Sequence, residues 1–108
     1  MKFGLHFGSR GVAGDPDTLK AIAQKAETLG YEHFGMSDHV IVATEVNSAY
    51  PYSETGKFFA QDTGVSLEQV TALGFVAAAT DRIRLLTSVM VLPHRHPVLA
   101  AKMLDVQA

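Results

Sequence analysis

The residues of this 108-residue chain best equipped for chemistry lie in the run Ser37-Asp38-His39-Val40. A carboxylate beside an imidazole suits acid–base work, because histidine exchanges a proton near neutral pH and a neighbouring carboxylate can fix its tautomer. The same pair can equally serve as a turn or helix cap at the end of a strand. A second unusual spot is Thr87-Ser88-Val89, where two hydroxyls interrupt an apolar segment. They either satisfy a neighbouring backbone group or mark a bulge beneath a planar cofactor, since irregular backbone gathers at functional strand ends. His6 sits in the first apolar stretch and could reach the same pocket, although a lone histidine in a strand is more often packed and hydrogen-bonded. Arg10 stands among Gly8, Gly11 and Gly14 and could hold an anion, but their spacing matches neither a dinucleotide fingerprint nor a P-loop.

The elements that must position these groups follow from periodicity. Phe3 to Gly8 is short, apolar and aromatic and ends in turn formers, which predicts a first strand. Asp15 followed by Pro16 is a helix start: the carboxylate can accept from free N–H groups, and proline at the first position has none to waste. Leu19, Ile22, Ala23, Ala26 and Leu29 then follow one helical stripe, with Gly30 placed for a left-handed cap. Strand two is expected over His33 to Ser37, which sets Asp38 and His39 at its carboxyl end. A long segment from Asp38 to Val65 follows, and loops of that length inside compact domains are usually functional. Ser66 and Gln69 have capping-box spacing, and Val70, Leu73, Val76 and Ala77 form the stripe of a second helix ending near Thr80-Asp81. Strand three is expected over Ile83 to Leu92, nearly continuous in apolar residues as in a covered parallel strand. Pro93 stops it, and Pro97 begins a third helix with Val98, Leu99, Met103 and Leu104. The order βαβαβα predicts an α/β fold with parallel strands, in either an open doubly wound sheet or a barrel. Both architectures place active sites at the carboxyl ends of strands, where Asp38 and His39 fall.

Composition narrows the functions. The chain is 47% apolar, enough for one core, so it is one domain or part of one. Nine Lys and Arg are scattered among eleven Asp and Glu for a net charge of -2, which argues against nucleic acid as a partner. There is no cysteine, which removes disulfides, thiolate metal sites and thiol nucleophiles, and fits a cytoplasmic setting. No apolar run approaches the roughly 18 residues of a membrane span, and the first is too short for a signal-peptide core. His94-Arg95-His96, between two prolines, is spaced like a metal pair. Metal-dependent barrel hydrolases carry such a pair on strand one, where this chain has the single His6, so a loop into helix three is the preferred reading and no metal site is assigned.

At these same residues the chain resembles the luciferase-like monooxygenase superfamily, and within it the deazaflavin (F-420)-dependent oxidoreductases of actinobacterial type. Four segments carry the resemblance: Phe3-Gly4-Leu5-His6-Phe7-Gly8; Ala26 through Phe34 running into Ser37-Asp38-His39-Val40; Arg82 through Val89; and Leu92-Pro93-His94-Arg95-His96-Pro97 leading to Ala101-Lys102. It implies the first three βα units of a (βα)8 TIM barrel, with a flavin or deazaflavin ring in the mouth. Asp38 and His39 match positions beside the ring, where the histidine serves some members as a base. Ser88 and Val89 match a non-prolyl cis peptide behind it, and His6 is placed among the cofactor contacts. The implied function is hydride transfer between a deazaflavin and a small organic substrate, with FMN-dependent monooxygenation as the alternative. A metal-dependent hydrolase using His6, Asp38 and His39 and a non-catalytic binding module are the rivals from other classes. Tyr50, Tyr52, Phe58 and Phe59 would cover the pocket. Residues 1–108 are expected to form part of a longer barrel or to hide their sheet edges by homo-oligomerisation.

Overall fold

The computed structural model describes residues 1–43, 45–58 and 66–105, apart from the side chain of Ala13. Strands β1 (Gly4–Phe7), β2 (His33–Met36) and β3 (Arg84–Thr87) alternate with helices α1 (Pro16–Thr28), α2 (Gln69–Ala79) and α3 (Pro97–Asp105). All strand pairing is parallel, in the order β1-β2-β3, with Leu5, Phe34 and Leu85 in one register row and His6, Gly35 and Leu86 in the next. The parallel α/β expectation is met.

Local chemistry explains α1. Asp15 Oδ2 accepts from the Thr18 N–H at 2.8 Å, and Pro16 occupies the first helical position. At the other end Gly30 takes φ +83°, and the chain closes with Tyr31 N–H on the Ala26 carbonyl and Gly30 N–H on that of Glu27. Glycine is required there because a Cβ disfavours left-handed backbone.

Alternation along the strands sets two unlike sheet faces. Phe34 and Met36 are fully buried against Leu19, Ala23 and Ala26 of α1 and Ala72, Leu73 and Val76 of α2, with Leu5, Phe7 and Leu85 packed alongside. The opposite face carries His6, Gly35 and Leu86, and Leu86 is 50% exposed. Strand β3 is thus covered on its helix side and open on the other in this chain.

Two α1 side chains hold the entry to β3. The Glu27 carboxylate accepts from the N–H groups of Asp81, Arg82 and Ile83 at 3.1, 2.6 and 2.8 Å, and Gln24 Nε2 donates to the Ala79 carbonyl at 2.9 Å.

Two expectations are corrected. Ser66 and Gln69 form no capping box: Glu68 caps α2 by accepting from Thr71 N–H at 2.7 Å, while Ser66 Oγ donates to the His39 carbonyl at 3.0 Å. Regular pairing in β3 stops at Thr87, not Leu92, because Val91 N–H leaves the ladder for the Asp38 carboxylate and the Val89 carbonyl is taken by Gln69. Helix α3 starts at Pro97 as expected; in it Ala100 is buried, Met103 and Leu104 are half-buried and Val98 and Leu99 are exposed, and it packs chiefly on the turn Leu92–His94.

Candidate active site at the carboxyl ends of the strands

Parallel strands deliver their following residues to one edge of the sheet, so Ser9-Arg10 after β1, Ser37-Asp38-His39 after β2 and Ser88-Val89 after β3 meet there. Ser9 is fully buried with its hydroxyl 3.5 Å from that of Ser37, and its carbonyl accepts from Leu67 N–H at 2.8 Å. These contacts tie the first two strand ends to the segment entering α2.

Asp38 and His39 diverge at the end of β2. Asp38, with a side chain 1% exposed, receives Arg95 in a two-pronged contact at 2.6 and 2.9 Å and Val91 N–H at 2.8 Å. The Arg95 hydrogen bonds, helped by the Val91 N–H and opposed by burial, hold its carboxyl below the usual carboxylate range. The second Arg95 nitrogen also binds Glu68, the cap of α2, and these bonds support the guanidinium's charge against burial. Burial works to raise Glu68, but hydrogen bonds from Arg95, Thr71 and Val70 outweigh it and its carboxyl is also lowered. One arginine thus joins the end of β2, the start of α2 and the turn before α3. With both Asp38 oxygens engaged, the carboxylate does not orient the His39 ring, nor is it open to a metal. No cluster of three or more His, Cys, Asp or Glu suited to a metal occurs among the described residues.

His39 meets Arg10 instead, with Arg10 Nη2 3.2 Å from His39 Nε2. A guanidinium only donates, so Nε2 accepts and the neutral ring carries its proton on Nδ1. Burial first, and the Arg10 charge second, lower the His39 pKa from its ordinary value, with Asp38 pulling weakly the other way. Phe58 from the long loop completes the wall: the Arg10 guanidinium lies over its ring at 4.8 Å, the His39 ring is 6.2 Å away and Tyr50 is 4.9 Å away. Tyr50 is positioned by a tight loop in which its N–H donates to the Gly56 carbonyl at 2.7 Å, with Gly56 at φ +69°. Tyr52 contacts Tyr50 at 5.5 Å but is itself exposed, and Phe59 lies outside the described residues.

The Ser88–Val89 peptide is cis, as the resemblance implies. His6 reaches it from β1: its ring passes over Gly35, where a Cβ would sit 3.5 Å from His6 Cδ2, and Nε2–H donates to the Ser88 carbonyl at 3.0 Å. Gln69, fully buried, donates from Nε2 to the carbonyls of Met36 at 2.6 Å and Val89 at 3.1 Å. The bulge is thus held by an imidazole on the open side and an amide on the helix side. Val89 is 74% exposed and Leu86 half exposed, and no atom lies within 4 Å of where a Gly8 Cβ would be. The sheet therefore presents an open apolar surface at Leu86 and Val89 with the His6 imidazole lying against it.

Sequence reasoning named His6, Asp38, His39, Ser88 and Val89, and all five stand at this edge. It missed the pairing of Arg10 with His39 and that of Arg95 with Asp38, and it misread Gln69. A signal for Arg95 was present, since an aspartate at the end of a buried strand needs a cationic or N–H partner.

The family profile of luciferase-like monooxygenases matches residues 1–105, and the chain belongs to that family. An uncharacterized protein of Mycobacterium bovis and one of Mycobacterium tuberculosis are each 32% identical to it over 81 residues, 75% of this chain. The chain spans 28% of the length of these relatives, and no solved structure matches it. No helix among the described residues is long and apolar enough to cross a membrane.

Proposed function

We propose that this chain supplies the first three βα units of a (βα)8 barrel whose activity is hydride transfer between a deazaflavin and a small organic substrate. The observation that carries the reading is that a neutral imidazole, His39, and an exposed apolar segment held at Ser88 by His6 and at Val89 by Gln69 follow adjacent strands at one edge of the sheet. Ser88, Val89 and His6 would support the ring from one side, with Asp38 and His39 beside it. The bound deazaflavin, or FMN in the alternative reading, supplies the hydride chemistry.

The chain's own residues do the rest. Val89 and Leu86 offer the apolar surface on which a ring can lie, and His6 with Gln69 fixes the backbone beneath it. His39, kept neutral, accepts or returns one substrate proton at Nε2. That atom is released when Arg10 moves aside. Phe58 and Tyr50, on the loop that covers Arg10, exclude water from the proton transfer. Asp38 keeps its charge and acts through position, drawing Val91 and Arg95 against the end of β2.

The experiment is His39→Ala in the full-length protein. Turnover is expected to fall by roughly 10² to 10⁴, with cofactor affinity changed much less, as for loss of one general acid–base group. Unchanged turnover removes His39 from the mechanism.

A further inference from the structure

The arginine that follows β1 is not accounted for by a ring-binding surface. It lies against His39, the one imidazole of the site with an accepting nitrogen turned toward a cation. We infer that Arg10 is a positioning residue for His39: its guanidinium, held over the Phe58 ring, donates to Nε2 and so fixes the ring proton on Nδ1. The inference deepens the proposed role of His39 as a base and rests on that reading only for its catalytic consequence.

Geometry supports it at three points. The Arg10 to His39 contact of 3.2 Å is a hydrogen bond in which only arginine can donate. The guanidinium stacks on Phe58 at 4.8 Å, and Tyr50 backs that ring at 4.9 Å, so the loop after β2 presses Arg10 onto the histidine. The His39 backbone is fixed independently, because Ser66 Oγ donates to its carbonyl at 3.0 Å and Arg10 bridges Ser66 in an antiparallel pair. Arg10, His39 and Ser66 therefore form one unit at the mouth.

The charged groups around the ring act in opposite senses. Arg10 from the end of β1 disfavours the imidazolium and Asp38 from the end of β2 favours it, but Asp38 is engaged by Arg95, which in turn binds Glu68 of α2. Tyr50 of the loop acts on Arg10. The cation directly on Nε2 outweighs the aspartate already neutralised by its own arginine. Burial does most to keep His39 neutral and the Arg10 charge adds to it, leaving a base whose accepting site, Nε2, opens when the guanidinium is displaced. A substrate oxygen entering between Arg10 and His39 would meet a donor on one side and an acceptor on the other.

The test is histidine titration by 15N–1H NMR on the full-length protein, with the His39 signals assigned by their loss in His39→Gln. The wild type should show the Nδ1–H tautomer and a midpoint below 6.5, the ordinary value. Arg10→Met, which keeps the stem and removes the guanidinium, should raise the midpoint toward the ordinary value, with burial still holding it down, and reverse the tautomer toward Nε2–H. Arg10→Lys should keep the low midpoint, because it restores a donor and the charge. Should Arg10→Met not fold, Phe58→Leu is the second variant, with a shift in the same direction expected from a loosened guanidinium. An unchanged midpoint and tautomer in Arg10→Met, or in Phe58→Leu where the first does not fold, overturns the inference. Retained turnover in His39→Ala would remove the base role and leave this titration result standing, so the two failures are distinguishable.

Discussion

Adjacent in sequence, Asp38 and His39 look like a dyad, but each side chain at the end of β2 is claimed by a different arginine. A carboxylate 1% exposed is stable only with its charge matched, and Arg95 matches it with two hydrogen bonds while Val91 N–H adds a third. Asp38 is held below its ordinary value of 3.8, so folding favours the charged form. Its stabilising contribution is complete above that value and is lost as pH falls through the lower folded-state pKa. In Asp38→Asn this acid-side loss should be smaller, and stability at neutral pH should drop by about 3 kcal/mol, the lower part of the range for a broken buried pair, because Glu68 still contacts Arg95. Urea unfolding between pH 7 and 3 checks both; equal stabilities throughout would deny Asp38 its structural role. Asp38 and His39 were legible because the end of β2 can be read from its apolar run, whereas Ser88 and Val89 stood out as hydroxyl-marked positions inside an apolar run and were placed behind a ring only by the family resemblance. The partners of His39 and Asp38 were not legible, since Arg10 and Arg95 lie 29 and 57 residues away in sequence, a separation that periodicity does not encode.

At the scale of elements, α1 and the three strand cores follow from caps and stripes, with Asp15-Pro16 and Gly30 bounding the helix as expected. The first turn of α2 was misread because Ser66 and Gln69 have capping-box spacing, while the functional difference lies in burial. Gln69 is fully buried and turns its amide to two strand-end carbonyls, and Glu68 takes over the cap. The length of β3 was overestimated for a related reason: Val89, Met90 and Val91 are apolar enough for a strand, but their backbone is recruited by Gln69 and Asp38. Gln69→Leu keeps the volume and removes both donors. It should cost about 1–3 kcal/mol for each carbonyl left unpaired and loosen the backbone at Val89. Denaturant midpoints read the first effect and amide exchange at Val89 and Met90 the second; wild-type values in both would show that the amide holds nothing.

For the whole molecule, the covered and open faces of the sheet pose opposite problems. α1 and α2 bury Phe34 and Met36 completely, whereas His6, Leu86 and Val89 face outward, and β1 and β3 each have one side unpaired among the described residues. At about 25 cal/mol per Å2, a few hundred Å2 of such surface corresponds to several kcal/mol, comparable with the roughly 5–15 kcal/mol stability of an ordinary domain. Residues 1–108 expressed alone should therefore associate with copies of themselves, and sedimentation should show mass above the 11.6 kDa monomer. A monodisperse, cooperatively unfolding monomer would contradict that. That the open face at the strand ends is the ring-side wall of a deazaflavin site follows from the proposed function. It is tested most directly by the absorption spectrum of the full-length protein purified from a host that makes both deazaflavin and FMN. Stoichiometric retention of the deazaflavin, seen as its single long-wavelength band, is expected in wild type and in His39→Ala alike. The twin bands of FMN would move the protein to the monooxygenase alternative, and a protein that retains and binds neither ring would contradict the claim.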